Sequence, residues 1–132
     1  MTEEHSNLLR FRRSLEAFNK GDLEGAKEVY SENLIYRLAG KSPLAGEYHG
    51  IDEFYALLQR VKALSGGTLT LTPQTILGDD KAIMVYVHAT ARREGKKLDI
   101  DQAYYYRFGE DNKIIEARTI PVDLYAFDEF WS

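Results

Sequence analysis

Residues 81–108 read KAIMVYVHATARREGKKLDIDQAYYYRF, a segment whose pairing sets the faces of the sheet. Two alternating runs flank Glu94-Gly95, a pair suited to a two-residue hairpin turn. Arg93 then pairs with Lys96, and residues lie opposite one another when their numbers sum to about 189. This ruler sets Val85, Val87 and Ala89 against Tyr104, Gln102 and Ile100 on one face. The other face sets Met84 against Tyr105 and His88 against Asp101. The aliphatic face suits packing beneath helices, so Tyr104, Tyr106 and Gln102 are expected to point inward.

Outward from the hairpin, further strands are expected at residues 68–77 and 113–121, bounded by turn signals at Gly78-Asp79-Asp80 and at residues 109–112. Pro73 lacks an N–H for a ladder, which favours an edge strand or a bulge. Upstream, Leu8, Phe11, Leu15 and Phe18 recur at helical spacing over residues 6–18, and Gly21 ends that stripe. Asp22 suits the N-cap of a short second helix carrying Leu23, Ala26, Val29 and Tyr30 on its inward side. Residues 34–38 alternate as a strand with Leu34, Tyr36 and Leu38 on one face. Residues 40–50, with three glycines and Pro43, read as an ordered loop with room for a short strand. A third helix begins near Ile51, carries Phe54, Leu57, Leu58, Val61 and Leu64, and closes at Gly66-Gly67. The order implies an α+β domain spanning residues 1–132, with helices on one face of a curved, mostly antiparallel sheet.

Composition narrows the chemistry. The chain has 132 residues and no cysteine, which removes disulfides, thiol nucleophiles and thiolate metal sites. Its three histidines, His5, His49 and His88, do not stand at helical metal-ligand spacing, so neither a metal nor another cofactor is expected. A net charge of −4 argues against a nucleic-acid partner. The polar, acidic start lacks a leader pattern and no apolar run approaches a membrane span, so a cytoplasmic protein with no membrane partner is expected. Nine tyrosines stand beside six phenylalanines and one tryptophan, which points to interior groups with polar ends.

Interior tyrosines and an amide need hydrogen-bond partners, so they mark either a ligand pocket or a wall bonded to backbone. On the opposite face His88 beside Asp101 has two readings, a catalytic dyad or a cross-strand ion pair. His49, in the glycine-rich loop, stands either at a pocket mouth or in solvent. Asp123 precedes residues 124–130 and suits either a helix N-cap or a reactive carboxylate.

Three segments carry a family resemblance. The first is NLIYRLAG at residues 33–40 followed by SPLAGEYHG at 42–50; the second is REGKKLD at 93–99 leading to QAYYYRF at 102–108 and then KIIE at 113–116; the third is PVDLYAFDEFW at 121–131. Together they resemble the SnoaL-like branch of the nuclear-transport-factor-2-like superfamily, which includes ketosteroid isomerases and polyketide cyclases. The resemblance implies a cone-shaped, cystatin-like fold with three N-terminal helices on the concave face of the sheet. It also implies an apolar pocket and a homodimer formed through the sheet face. In the polyketide-cyclase relatives an acidic residue just after the last strand abstracts a proton, and Asp123 is the matching position. In the epoxide-hydrolase relatives an Asp-Arg-Asp network surrounds a water, for which Asp101, Arg118 and Asp123 supply the residue types.

The resulting expectation is a pocket for a small apolar or aromatic molecule, with Asp123 abstracting a proton beside a carbonyl and Tyr36 and Tyr104 donating to the developing oxyanion. Gln102 would orient the substrate, and Tyr106, Leu38, Thr119, Arg118 and His49 complete the expected contacts. The alternative is a module that binds a ligand, or dimerises, without chemistry.

Overall fold

A computed structural model describes residues 6–132, and His5 lies outside the described residues. Helix α1 (Ser6–Asn19) and the short α2 (Leu23–Lys27) lead into strand β1 (Tyr30–Leu38), β2 (Gly46–His49) and helix α3 (Gly50–Ser65). Strands β3 (Thr70–Gly78), β4 (Ala82–Arg93), β5 (Lys96–Phe108) and β6 (Ile114–Pro121) follow, and α4 (Leu124–Trp131) closes the chain. The six strands form one sheet in the order β2-β1-β6-β5-β4-β3, with β1 parallel to β6 and every other neighbouring pair antiparallel.

The central hairpin keeps one register from Arg93 opposite Lys96 to Ala82 opposite Arg107. Glu94 and Gly95 both take positive φ, 47° and 78°, which gives the tight turn the twist that antiparallel strands need. Strand parity then sorts the side chains. Ile83, Val85, Val87, Ala89 and Ala91 on β4 and Leu98, Gln102, Tyr104, Tyr106 and Phe108 on β5 are buried, facing the helices. Pro73 sits on the edge strand at a shift of register between Pro73 and Thr75, so the missing N–H falls where the ladder is already interrupted.

Local chemistry sets the helix ends. The Asp22 carboxylate accepts from the Gly25 N–H at 3.0 Å, and Gly66 takes the left-handed conformation, φ 60°, that ends α3. Phe11 and Leu15 from α1, with Phe54, Leu57 and Val61 from α3, pack onto the inward sheet face as one hydrophobic core.

Two elements differ from the sequence reading. Tyr30 begins β1 instead of ending α2, because the Ile114 N–H donates to Val29 O at 2.8 Å and draws this segment into the ladder beside β6. The first strand is therefore longer than its alternation suggested, with a register shift between Tyr30 and Ile35. One of its two neighbours in the sheet, β6, is parallel to it, a pairing between the first and last long strands that local periodicity does not disclose.

Candidate functional site

Between the inward sheet face and the helices lies a cavity of about 90 Å³, not sealed from the exterior. Three adjacent strands build its floor. Tyr104 on β5 pairs with Thr119 on β6, which pairs with Leu38 on β1; the next rung runs Tyr106, Ala117, Tyr36. Gln102 lies two residues before Tyr104 and so shares its face. Helix α1 contributes Phe11, Ser14, Leu15 and Phe18, α3 contributes Phe54, Leu57, Leu58 and Val61, and α4 contributes Phe127 and Trp131.

Aromatic rings form most of the wall. Tyr104 and Tyr106 stack at 5.9 Å between centroids and 11° between planes, Phe11 meets Tyr106 at 4.7 Å, and Phe54 meets Tyr30 at 4.5 Å and Tyr36 at 4.9 Å. Polar atoms interrupt this lining at a few points. The Tyr36 and Thr119 hydroxyls are hydrogen-bonded to each other, and Gln102 Nε2 donates to the Tyr104 hydroxyl at 2.7 Å.

Gln102 keeps a buried polar atom unpaired. It is only 2% exposed, and its Oε1 has no partner. Among the described residues, one other buried side-chain atom, Arg93 Nε, shares that condition, and Arg93 does not line the cavity. An unpaired buried acceptor costs about 1–3 kcal/mol, so a protein that retains one invites an explanation.

Burial dominates the electrostatics. It raises the Tyr36 phenol to about 12 against a weaker lowering by its Thr119 bond, and it likewise raises Tyr30, Tyr104 and Tyr106. All four therefore remain neutral phenols at physiological pH. Among the described residues the lining includes no Asp, Glu, His, Lys or Arg, so these residues bring neither a carboxylate base nor a counter-charge for an anion to the cavity.

Tyr36, Leu38, Gln102, Tyr104, Tyr106 and Thr119 thus come together as the sequence suggested. Asp123, Arg118 and His49 do not join them. Asp123 is exposed, and its carboxylate accepts from the Ala126 N–H at 3.0 Å as the N-cap of α4. Arg118 has the opposite parity to Thr119 and lies on the outer face, 3.7 Å from Glu116. His49 is exposed at the start of α3, with Nε2 3.0 Å from Glu47.

His88 and Asp101 do meet, on the outer face, away from the cavity. His88 Nδ1 is 2.8 Å from Asp101 Oδ1, its Nε2 is 2.6 Å from Asp99 Oδ1, and the Tyr86 hydroxyl donates to Asp101 at 3.0 Å. Both ring nitrogens thus face carboxylates, an ion-pair arrangement that ties up the nitrogen a general base would need. No group of three or more potential metal ligands is placed to hold an ion among the described residues, and none of their helices is long and apolar enough to cross a membrane.

Several wall residues escaped the site expectation. Phe11 and Phe54 were legible only as helix stripes and Tyr30 as a helix residue, while Phe127 and Trp131 come from a terminal helix whose docking site is not encoded in its own periodicity. The signal available was the surplus of aromatic residues.

The Mycobacterium tuberculosis protein Rv0034 is 31% identical over 123 residues, a match covering 92% of each chain. Bal32a, from a soil-derived mobile gene cassette, is 33% identical with a TM-score of 0.90 over 96% of both chains. TerC, co-crystallized with polyporic acid, shares the fold at 20% identity and a TM-score of 0.82, over 94% of this chain and 96% of its own. The SnoaL-like domain family matches residues 11–117, most of both the sheet and the cavity wall, and the chain belongs to that family, with its cystatin-like fold.

Proposed function

We propose that the protein binds a small apolar or aromatic molecule in the cavity between sheet and helices, with Tyr36, Tyr104, Tyr106, Gln102, Leu38 and Thr119 among its contacts. The observation that carries this reading is a space of about 90 Å³ whose wall is aromatic and aliphatic but includes a buried amide with an unused acceptor. Such a combination of apolar bulk and a few inward polar atoms is what orients small ligands. The co-crystallization of TerC with polyporic acid supports the same use of the fold.

Binding is favoured over isomerase or cyclase chemistry by the position of the carboxylates. Abstraction of a proton needs a base within hydrogen-bond reach of the substrate, and Asp123 is occupied in capping α4 outside the lining.

A homodimer through the sheet is part of the same proposal. On the outer face Leu77 pairs with Met84 and Met84 with Tyr105, while Tyr86 pairs with Ala103 and Ala103 with Ile120. Leu77, Met84, Tyr86 and Ile120 are exposed, forming a connected apolar surface that a second copy would cover.

The binding reading is tested by proton NMR of the indole N–H of Trp131, the single tryptophan, which lines the cavity. Toluene or phenol is expected to shift this resonance saturably, and a resonance unmoved by both up to their solubility limits would overturn the proposal.

A further inference from the structure

We infer that the ligand is a small neutral molecule carrying a hydroxyl group, which donates to Gln102 Oε1 and accepts from the Tyr104 hydroxyl. This rests on the reading of the cavity as a binding site and specifies the chemistry of its occupant.

The geometry supplies both halves of the match. Gln102 spends its Nε2 on Tyr104, which leaves Oε1 as a buried acceptor without a donor. Tyr104, having accepted that bond, still carries its own phenolic proton, because burial holds it far above its ordinary pKa of 10.0. An acceptor and a donor therefore stand side by side in an apolar wall. A hydroxyl group is both donor and acceptor, and it satisfies the two at once. An ether or ketone oxygen can only accept, so it leaves Oε1 unpaired and forfeits part of the gain.

Charge and size limit the rest of the molecule. Among the described residues no cation lines the cavity to offset an anion, and no carboxylate to offset an ammonium group, so burying either against them would be strongly unfavourable. The space of about 90 Å³ is smaller than the ~150 Å³ that holds benzene in a dry protein core. The buried body is therefore no larger than one ring, with the remainder at the opening.

The test compares phenol, toluene, anisole and benzoate by calorimetry on the wild-type chain. Phenol is expected to bind about tenfold or more tightly than toluene or anisole, with no binding of benzoate. Toluene binding as tightly as phenol would overturn the hydroxyl inference and leave the binding site standing. Anisole matching phenol would overturn it by showing that the site needs only an acceptor, and tight binding of benzoate would overturn neutrality. Failure of every probe would overturn the binding reading together with the inference. In Gln102→Leu, or in Gln102→Met if the first variant does not fold, the phenol-to-toluene affinity ratio is expected to fall toward one; an undiminished ratio in a folded variant would remove Gln102 as the acceptor.

Discussion

His88 Nδ1 stands 2.8 Å from Asp101 Oδ1 across the β4–β5 ladder, and Asp99 takes the other ring nitrogen at 2.6 Å. The hydrogen bonds that the ring donates to Asp101 and then to Asp99 raise the imidazole pKa above its ordinary 6.5, against a smaller opposing effect of desolvation, while the bonds from His88 and Tyr86 lower that of Asp101 below 3.8. The raised histidine stabilises the fold fully below 6.5 and loses its contribution as pH rises through the folded value. The depressed aspartate contributes fully above 3.8 and loses it as pH falls through its own folded value. The pair therefore stabilises most between those two ordinary values. An NMR titration is expected to place the His88 midpoint above 6.5, and Asp101→Asn to move it down. A midpoint at or below 6.5 in the wild type would contradict the arrangement.

Asp123 is expected to matter for stability and not for ligand affinity. Its carboxylate satisfies the Ala126 N–H at the start of α4, and Asp123→Ala removes a cap worth about 1 kcal/mol. Denaturant unfolding should show that loss. Toluene affinity, measured well below the unfolding transition, should stay within twofold of wild type. A large loss of affinity in a folded variant would restore the carboxylate to the binding site.

The hairpin at residues 82–108 was fully legible because a two-residue turn fixes register and register fixes faces, so Tyr104, Tyr106 and Gln102 could be sent inward from sequence. Tyr36 was legible as an inward residue of its own strand, but its bond to Thr119 depends on β1 running parallel beside β6, which joins residues 83 apart. The apolar spacing of residues 23–30 fits a helix locally, and the long-range backbone bond from the Ile114 N–H to Val29 O overrides it, so Tyr30 falls in β1. A carboxylate just after the last strand serves equally as cap or as base, so Asp123 has both readings in sequence, and only the direction of its side chain distinguishes them. The orphaned acceptor of Gln102 was invisible, because a missing partner is a property of packing.

Gly78 is expected to resist substitution although it lies at the exposed end of an edge strand. Its φ is 146°, and a Cβ there would approach Ala82 O to 2.2 Å and Ile83 Cα to 2.7 Å, both backbone atoms that cannot swing aside. Gly78→Ala should destabilise by about 2 kcal/mol, combining backbone strain with a forced opening of the β3–β4 turn. Thermal unfolding measures this. An unchanged midpoint would mean that the turn relaxes freely. Gly95→Ala, where a Cβ meets nothing within 4 Å, should cost less because only the positive φ of 78° opposes it.

The outer sheet face gives the proposed dimer a test separable from folding. Met84 and Ile120 are 42% and 43% exposed, so their side chains contribute little to the core and charged substitutions there leave the inward packing untouched. In a dimer covering roughly 800 Å² per partner, a buried unpaired carboxylate at either position would be strongly unfavourable. Sedimentation is expected to show a wild-type dimer at micromolar concentration and a monomer for Met84→Asp with Ile120→Asp, both with native circular dichroism. A monomeric wild type would dispose of the interface, and a double variant that remained dimeric would place the contact on another surface.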